Sequence, residues 1–390
     1  MEALVTAWSP DGLVATMTAR LPEILDDVAE VVTCESPSSD LAATAAGADV
    51  VAGVGRRLLG AEPERVILDG RTHLRWRTGT GQPRVMLLGH QDTVWPVGSL
   101  RTHPLSLSGG VLRGPGCFDM KTGLVMALHA VAALGVPDGL AILVTSDEEV
   151  GSPSSRGLIE ADAAGCLAAL VLEGAADGGA IKTERKGTSM YHVRVGGKAA
   201  HAGLEPEKDV NATVELAHQV LAVSALSDPG RGTTVTPTVA TAGTTMNTVP
   251  AAGEFAVDVR MWDTEEQQRV DGAMRSLLPA IRDAALEVDG GPNRPPLPAA
   301  ASGALFERAC LLAGRLGLPP LARAAVGGAS DGNFTAGVGT PTLDGLGAVG
   351  GGAHADHEHV LIDQVPGRTA LLAALIGDLL AGGTGRAGKA

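Results

Sequence analysis

Three short and almost wholly apolar runs, residues 84–88, 141–144 and 168–172, constrain this chain more than any other feature. Each is too short for a helix and lacks the apolar–polar alternation of a strand with one wet face. Each therefore reads as a strand buried on both sides. Segments with helical apolar spacing surround them, at residues 13–32, 42–59 and 120–134. Shorter strands are expected at 65–69 and 74–77. Strands alternating with helices predict an α/β fold with a mixed, mostly parallel sheet flanked by helices. In such sheets ligands bind beyond the carboxyl ends of the strands. The residues that follow the three runs are therefore informative: His90, Gln91 and Asp92, then Asp147, Glu148 and Glu149, then Glu173.

Each of these side chains has two readings. The three acids at 147–149 are either a solvated turn or a site in which one carboxylate binds a metal and its neighbour is a general base. His90 and Asp92 project to the same side of an extended segment. Asp92 can then hold the second nitrogen of a ligating His90 imidazole. Asp119 lies in RGPGCFDMKTG, just before a helix, and is either its N-cap or a ligand. Glu173 is a strand-end surface acid or another ligand. Late in the chain, GGAHADHEHV gathers His354, His357 and His359, and spacing does not choose among them. His73, His103, His129, His192 and His218 read as core or surface histidines.

From residue 187 the pattern changes. A strand at 189–195 is followed by a helix at 209–226 with Asp209 or Asn211 near its cap, strands at 233–240 and 254–262, a helix from Thr264 to about residue 281, and a strand at 285–288. Thr264 and Gln267 suggest a capping box. This β-α-β-β-α-β order is that of a ferredoxin-like unit. The alternation of helices with buried strands then resumes, with a helix at 302–316, a glycine-rich loop around Asp331, a strand at 340–343 and a closing helix at 364–380. The expected domains are 1–186 with 294–390, and an inserted 187–293. The tail from residue 382 reads as disordered.

Composition removes whole classes of function. A net charge of −14 leaves no basic face to track phosphates, so nucleic acid is not an expected partner. The four cysteines form no CxxC pair and read as reduced thiols. There is no basic leader, and no uninterrupted apolar stretch of roughly 18–20 residues, so a cytoplasmic protein without a membrane partner is expected.

The motifs occur in a telling order: His90-x-Asp92, GxxDMKTG around Asp119, Glu148-Glu149, Glu173-Gly174, KAAHAG with His201, and His354. Together they resemble the di-zinc exopeptidases and deacylases that include aminoacylase, acetylornithine deacetylase, succinyl-diaminopimelate desuccinylase and bacterial glutamate carboxypeptidase. The glutamate carboxypeptidases look nearest, through HQDTVWP, KGTSMYHVRVGGKAAHAGLEP and the GGASDG loop. The resemblance implies a zinc-exopeptidase-like fold whose inserted domain serves dimerisation as a lid. It implies that Asp119 bridges two zinc ions per subunit, with His90 and Glu173 completing one shell and Glu149 and His354 the other. Cobalt or manganese could replace the zinc. Two metals roughly 3.5–4 Å apart would activate a water and polarise the scissile carbonyl. Glu148 would take the water's proton, and Asp92 would orient His90. By the same resemblance His201 reaches the other subunit's site to stabilise the oxyanion, so a homodimer is expected. Asn247 and Arg260 match positions that hold the substrate's terminal carboxylate, and Arg294 is a further candidate for reading an acidic side chain.

The expected activity is hydrolysis of the amide joining an acyl or peptidyl group to a C-terminal amino acid, on a small peptide or N-acyl amino acid. Two rivals stand beside it. One is a biosynthetic N-acyl amino-acid deacylase or dipeptidase with the same metals. The other is a catalytically silent binding protein, against which the complete ligand set and Glu148 argue.

Overall fold

The computed structural model describes residues 9–204 and 209–382; Gly382, the first residue of the tail expected to be disordered, ends the last helix, and the rest of that tail lies outside the described residues. The chain forms two compact units. One runs to Glu184 and resumes over Ala299–Val326 and from Ser330; the other comprises Arg185–Pro298 with Gly327–Ala329.

In the first unit a six-stranded sheet runs in the order Glu64–Leu68, Arg71–Arg77, Leu140–Thr145, Val85–His90, Ala168–Val171, Thr342–Leu343. The first two junctions are antiparallel and the other three parallel. Side chains alternate across a strand, and both sets find a core. Val85, Leu87, Leu140, Ile142, Val144, Ala168 and Leu170 join a large cluster with helices Leu13–Thr33, Leu41–Leu59, Thr122–Ala133, Ala299–Arg315 and Val365–Gly382. Met86, Leu88, Leu143 and Ala169 face the other way, onto Ile159, Ala163 and Phe334. Two-sided burial is why these runs carry no polar alternation. Each buried Leu or Val contributes about 1.5–3 kcal/mol of transfer free energy. The closing helix is long and apolar enough to cross a membrane by composition, but 72% of that stretch is buried within the fold.

The glycine- and proline-rich stretch after Asp92 contains a hairpin that its composition does not announce. Ser106–Ser108 pairs with Val111–Arg113, which pairs in turn with His359–Leu361. This small ladder sets the segment leading to Asp119 beside the segment following His354.

The second unit has the ferredoxin-like topology. Its antiparallel sheet runs Thr234–Ala242, Ala252–Met261, Gly187–Gly196, Ala285–Arg294. Tyr191, Val193, Phe255, Val257 and Val259 pack with Val223, Val270 and Met274 from helices Ala212–Ser224 and Thr264–Arg275. Two local expectations change. The cap of the second helix is Asp263, whose side chain accepts the Glu266 N–H at 2.8 Å, and not Thr264. That helix also ends at Arg275, short of residue 281. Pro279 disfavours helical backbone before it and has no N–H to continue the ladder. The Ala280 and Ile281 amides donate instead to the buried Glu215 carboxylate.

Candidate metal centre

The first unit brings five of the predicted residues together at the carboxyl edge of its sheet. His90 ends its strand and is 1% exposed. Its Nδ1 lies 2.9 Å from the Asp92 backbone carbonyl and 3.6 Å from the Asp92 carboxylate, so the backbone oxygen is the nearer partner. An Nδ1–H donated there leaves Nε2 as the free electron pair. Nε2 is buried 3.2 Å from Asp119 Oδ1 and 3.5 Å from Glu173 Oε1, aligned with neither as a hydrogen bond.

Asp119 is not a helix cap. It sits at φ −115°, ψ 94° inside the turn Cys117–Lys121, and Lys121 occupies the N-cap of the helix Thr122–Ala133. Its Oδ1 faces His90, while Oδ2 lies 3.4 Å from His354 Nε2. One carboxylate thus presents a separate oxygen to each of two histidines. Glu149 Oε2 lies 3.0 Å from the same His354 nitrogen. Single donor atoms of His90, Asp119 and Glu149 fall within 4.8 Å of one another. Close packing makes this possible: a Cβ on Gly123 would meet the Leu172 carbonyl at 2.1 Å, so only glycine lets this helix lie against the strand end bearing Glu173.

The acidic turn divides its work. Asp92 Oδ1 accepts the Glu148 N–H and Oδ2 the Glu149 N–H, each at 3.3 Å, and Oδ2 also accepts the Ser38 hydroxyl at 2.6 Å. Asp92 therefore braces both His90 and the turn Glu148–Val150. Asp147 is fully buried and accepts from Ser154 Oγ and Ser155 Oγ, each at 2.6 Å, which makes it an anchor for the chain beyond the turn. Asp331 braces the other side, accepting from Thr145 Oγ1 at 3.1 Å and from Ser152 Oγ. Of the three late histidines, only His354 joins the cluster; His359 Nδ1 lies 2.9 Å from the His357 carbonyl. The buried Cys117 thiol is pushed up by desolvation, which suits packing rather than chemistry.

Electrostatics agree with a cation site. Burial raises the Asp119 carboxyl, but the His354 and His90 imidazoles facing its two oxygens outweigh burial and hold the group well below the usual range. Contacts with Asp119 and Glu149 push His354 up to about 10 from 6.5. Without metal, His354 therefore holds a proton at neutral pH. It stabilises the metal-free fold fully below about 6.5, and that contribution is lost as pH rises through about 10. A cation would replace that proton. The donors are carboxylate oxygens and imidazole nitrogens, a set that suits zinc, cobalt or manganese.

In the second unit, Ala200–His201 pairs antiparallel with Thr248–Val249, and the Ala202 N–H donates to the Asn247 carbonyl at 3.1 Å. His201 and Asn247 are thereby neighbours on one exposed loop edge. The Gly203 N–H donates to His201 Nδ1 at 3.2 Å, which leaves the proton of the neutral ring on Nε2. Arg260 makes a bidentate pair with Asp258 on its own strand, at 2.7 Å for both contacts. Any carboxylate it receives must share or displace Asp258. Arg294 is buried at the end of its strand. A cavity of about 720 Å³ opens in this unit beside Arg194, Thr241, Gly253 and Leu286, and none of the predicted site residues lines it.

A model of the peptidase family M20/M25/M40 matches residues 86–378. The chain belongs to that family. It is an enzyme of the metallopeptidase and amidohydrolase type, and the cluster described above is a candidate metal site within it. Carboxypeptidase G2 of Pseudomonas sp. (strain RS-16) is 32% identical over 317 residues, covering 78% of this chain and 76% of that one. A succinyl-diaminopimelate desuccinylase of Afipia carboxidovorans is 30% identical over 239 residues, or 54% of this chain and 60% of that one. Among solved structures, an M20 family metallo-carboxypeptidase from Sulfolobus solfataricus superposes with a TM-score of 0.72 at 16% identity, covering 91% of this chain and 98% of that one, which shows the shared fold.

Proposed function

We propose that the protein is a two-zinc amidohydrolase that releases a C-terminal amino acid from a peptidyl or acyl group, in the manner its likeness to a carboxypeptidase suggests. The observation that carries the reading is Asp119, whose two oxygens face His90 and His354 separately. With Glu173 beside the first histidine and Glu149 beside the second, each ion would have three protein donors. The buried, unaligned Nε2 of His90 fits a ligand atom awaiting a cation. Two such ions would lower the pKa of a shared water and polarise the scissile carbonyl. Glu148, 9% exposed on the same turn as Glu149, would take the water's proton and deliver it to the leaving nitrogen. His201, through Nε2–H, would donate to the developing oxyanion in a second copy of the chain. Asn247, Arg260 and Arg294 are the proposed readers of substrate carboxylates, and the inserted unit the proposed dimerisation element.

The similarity to desuccinylases supports a second reading, removal of a short acyl group from an amino acid. A hydrolysis screen on zinc-loaded protein separates the two. N-acyl and N-aroyl conjugates of Glu and Asp, apolar conjugates, and N-succinyl amines would be compared by kcat/KM. We expect acidic leaving amino acids to exceed apolar ones by at least about tenfold, since a buried guanidinium–carboxylate pair is a strong discriminator. A preference for N-succinyl amines would favour the second reading.

A further inference from the structure

We propose that Glu358 is a positioning residue for the metal centre, its carboxylate tying the turn that presents Asp119 to the loop that presents His354. The proposal rests on the metal-binding reading of those two residues. Glu358 follows His354 by four positions, is 3% exposed, and immediately precedes the strand His359–Leu361. Pairing of that strand sets His359 opposite Arg113 and so brings Glu358 alongside the residues leading to Asp119.

The carboxylate is fully used there. Oε1 accepts the Phe118 N–H at 2.9 Å and the Asp119 N–H at 3.0 Å. Oε2 accepts the Gly116 N–H at 2.9 Å and the Trp95 indole N–H at 2.8 Å. Four donors fill the roughly four acceptor positions of an ionised carboxylate, so Glu358 acts on the backbone and not as a ligand. Three of the four are amides of one irregular turn, including the amide of Asp119 itself. Asp119 has non-helical backbone within that turn, so no regular ladder fixes where its carboxylate points. Gly116 adopts φ 70°, and a Cβ there would meet Thr93 Cγ2 at 2.5 Å, so the turn is also sterically tight. A single buried acid thus sets the direction of the carboxylate shared by both histidines, while its own main chain leads back to His354.

The test uses the full chain loaded with Co²⁺, whose visible spectrum reports coordination geometry. Glu358→Gln keeps the size but turns one acceptor oxygen into a donor facing N–H groups. We expect zinc affinity, measured against a chelating dye, to fall about 10–100-fold. At saturating cobalt the visible band should still be displaced from that of the parent, and kcat should fall while KM holds. A purely structural role would lower the melting temperature of the metal-free chain and leave the saturated cobalt band unmoved. Trp95→Phe removes only the indole donor and should move the band in the same direction by less, which keeps the test open if the Gln variant does not fold. A parental band in every folded variant, with zinc affinity within about threefold of the parent, overturns the positioning role. A parent that takes up no cobalt overturns the metal reading itself.

Discussion

Glu148→Gln is expected to lose about 10²–10⁴-fold in kcat while retaining the parent's full metal content, the range typical of removing a general acid–base group. Asp92 holds the backbone amides of Glu148 and Glu149 on its two oxygens, so the turn keeps its shape in the variant. Glu149 continues to face His354. Glutamine fills the same space but cannot accept the water's proton. Metal analysis and steady-state kinetics on the same preparation read both quantities. Near-parental turnover with metal retained would assign the proton step to another group. Loss of metal along with turnover would make Glu148 a ligand.

His201→Ala is expected to lower kcat about 10²–10³-fold, the usual effect of losing one oxyanion donor. The Gly203 amide occupying Nδ1 places the available proton on an exposed Nε2, which is what an oxyanion donor requires. If His201 serves the site of a second copy, the defect can be complemented. Subunits of His201→Ala exchanged with subunits of Glu148→Gln would form mixed dimers in which one site has both groups. Random exchange should restore about a quarter of parental activity, because half the dimers are mixed and each has one complete site. An exchanged mixture no more active than its components would place His201 outside a shared site.

The sheet was readable because its strands are buried on both faces and its ligand-bearing positions lie directly after them. His90, Glu149 and Glu173 each follow an apolar run, so a local pattern and one topological rule point to them. Asp119 and His354 lie on irregular loops, and only the ordered motifs singled them out. The braces were less visible. Glu358 sits in a histidine-rich stretch that drew attention to His354, His357 and His359, and its four donors come from segments some 240–260 residues away. Asp147 and Asp331 have no assigned role in sequence, and they accept from serine and threonine hydroxyls that lie in other segments. The pairing of Val111–Arg113 with His359–Leu361 has no periodic signal, because three-residue strands are too short to alternate. The early end of the helix at Arg275 was available from Pro279, but helical apolar spacing masked it.

The most direct test of the central claim is a zinc titration of chelator-stripped protein, reading turnover and proton release together. A two-ion site with one bridging carboxylate predicts no hydrolysis at the start and full turnover after about two equivalents per chain. Metal must displace a proton from His354, which holds its own up to about 10 in the metal-free chain. At pH 7 zinc uptake should therefore release at least about one proton per chain, falling away as pH rises through about 10. Hydrolysis by the stripped protein, full turnover at one equivalent, or uptake at pH 7 without proton release would contradict the account.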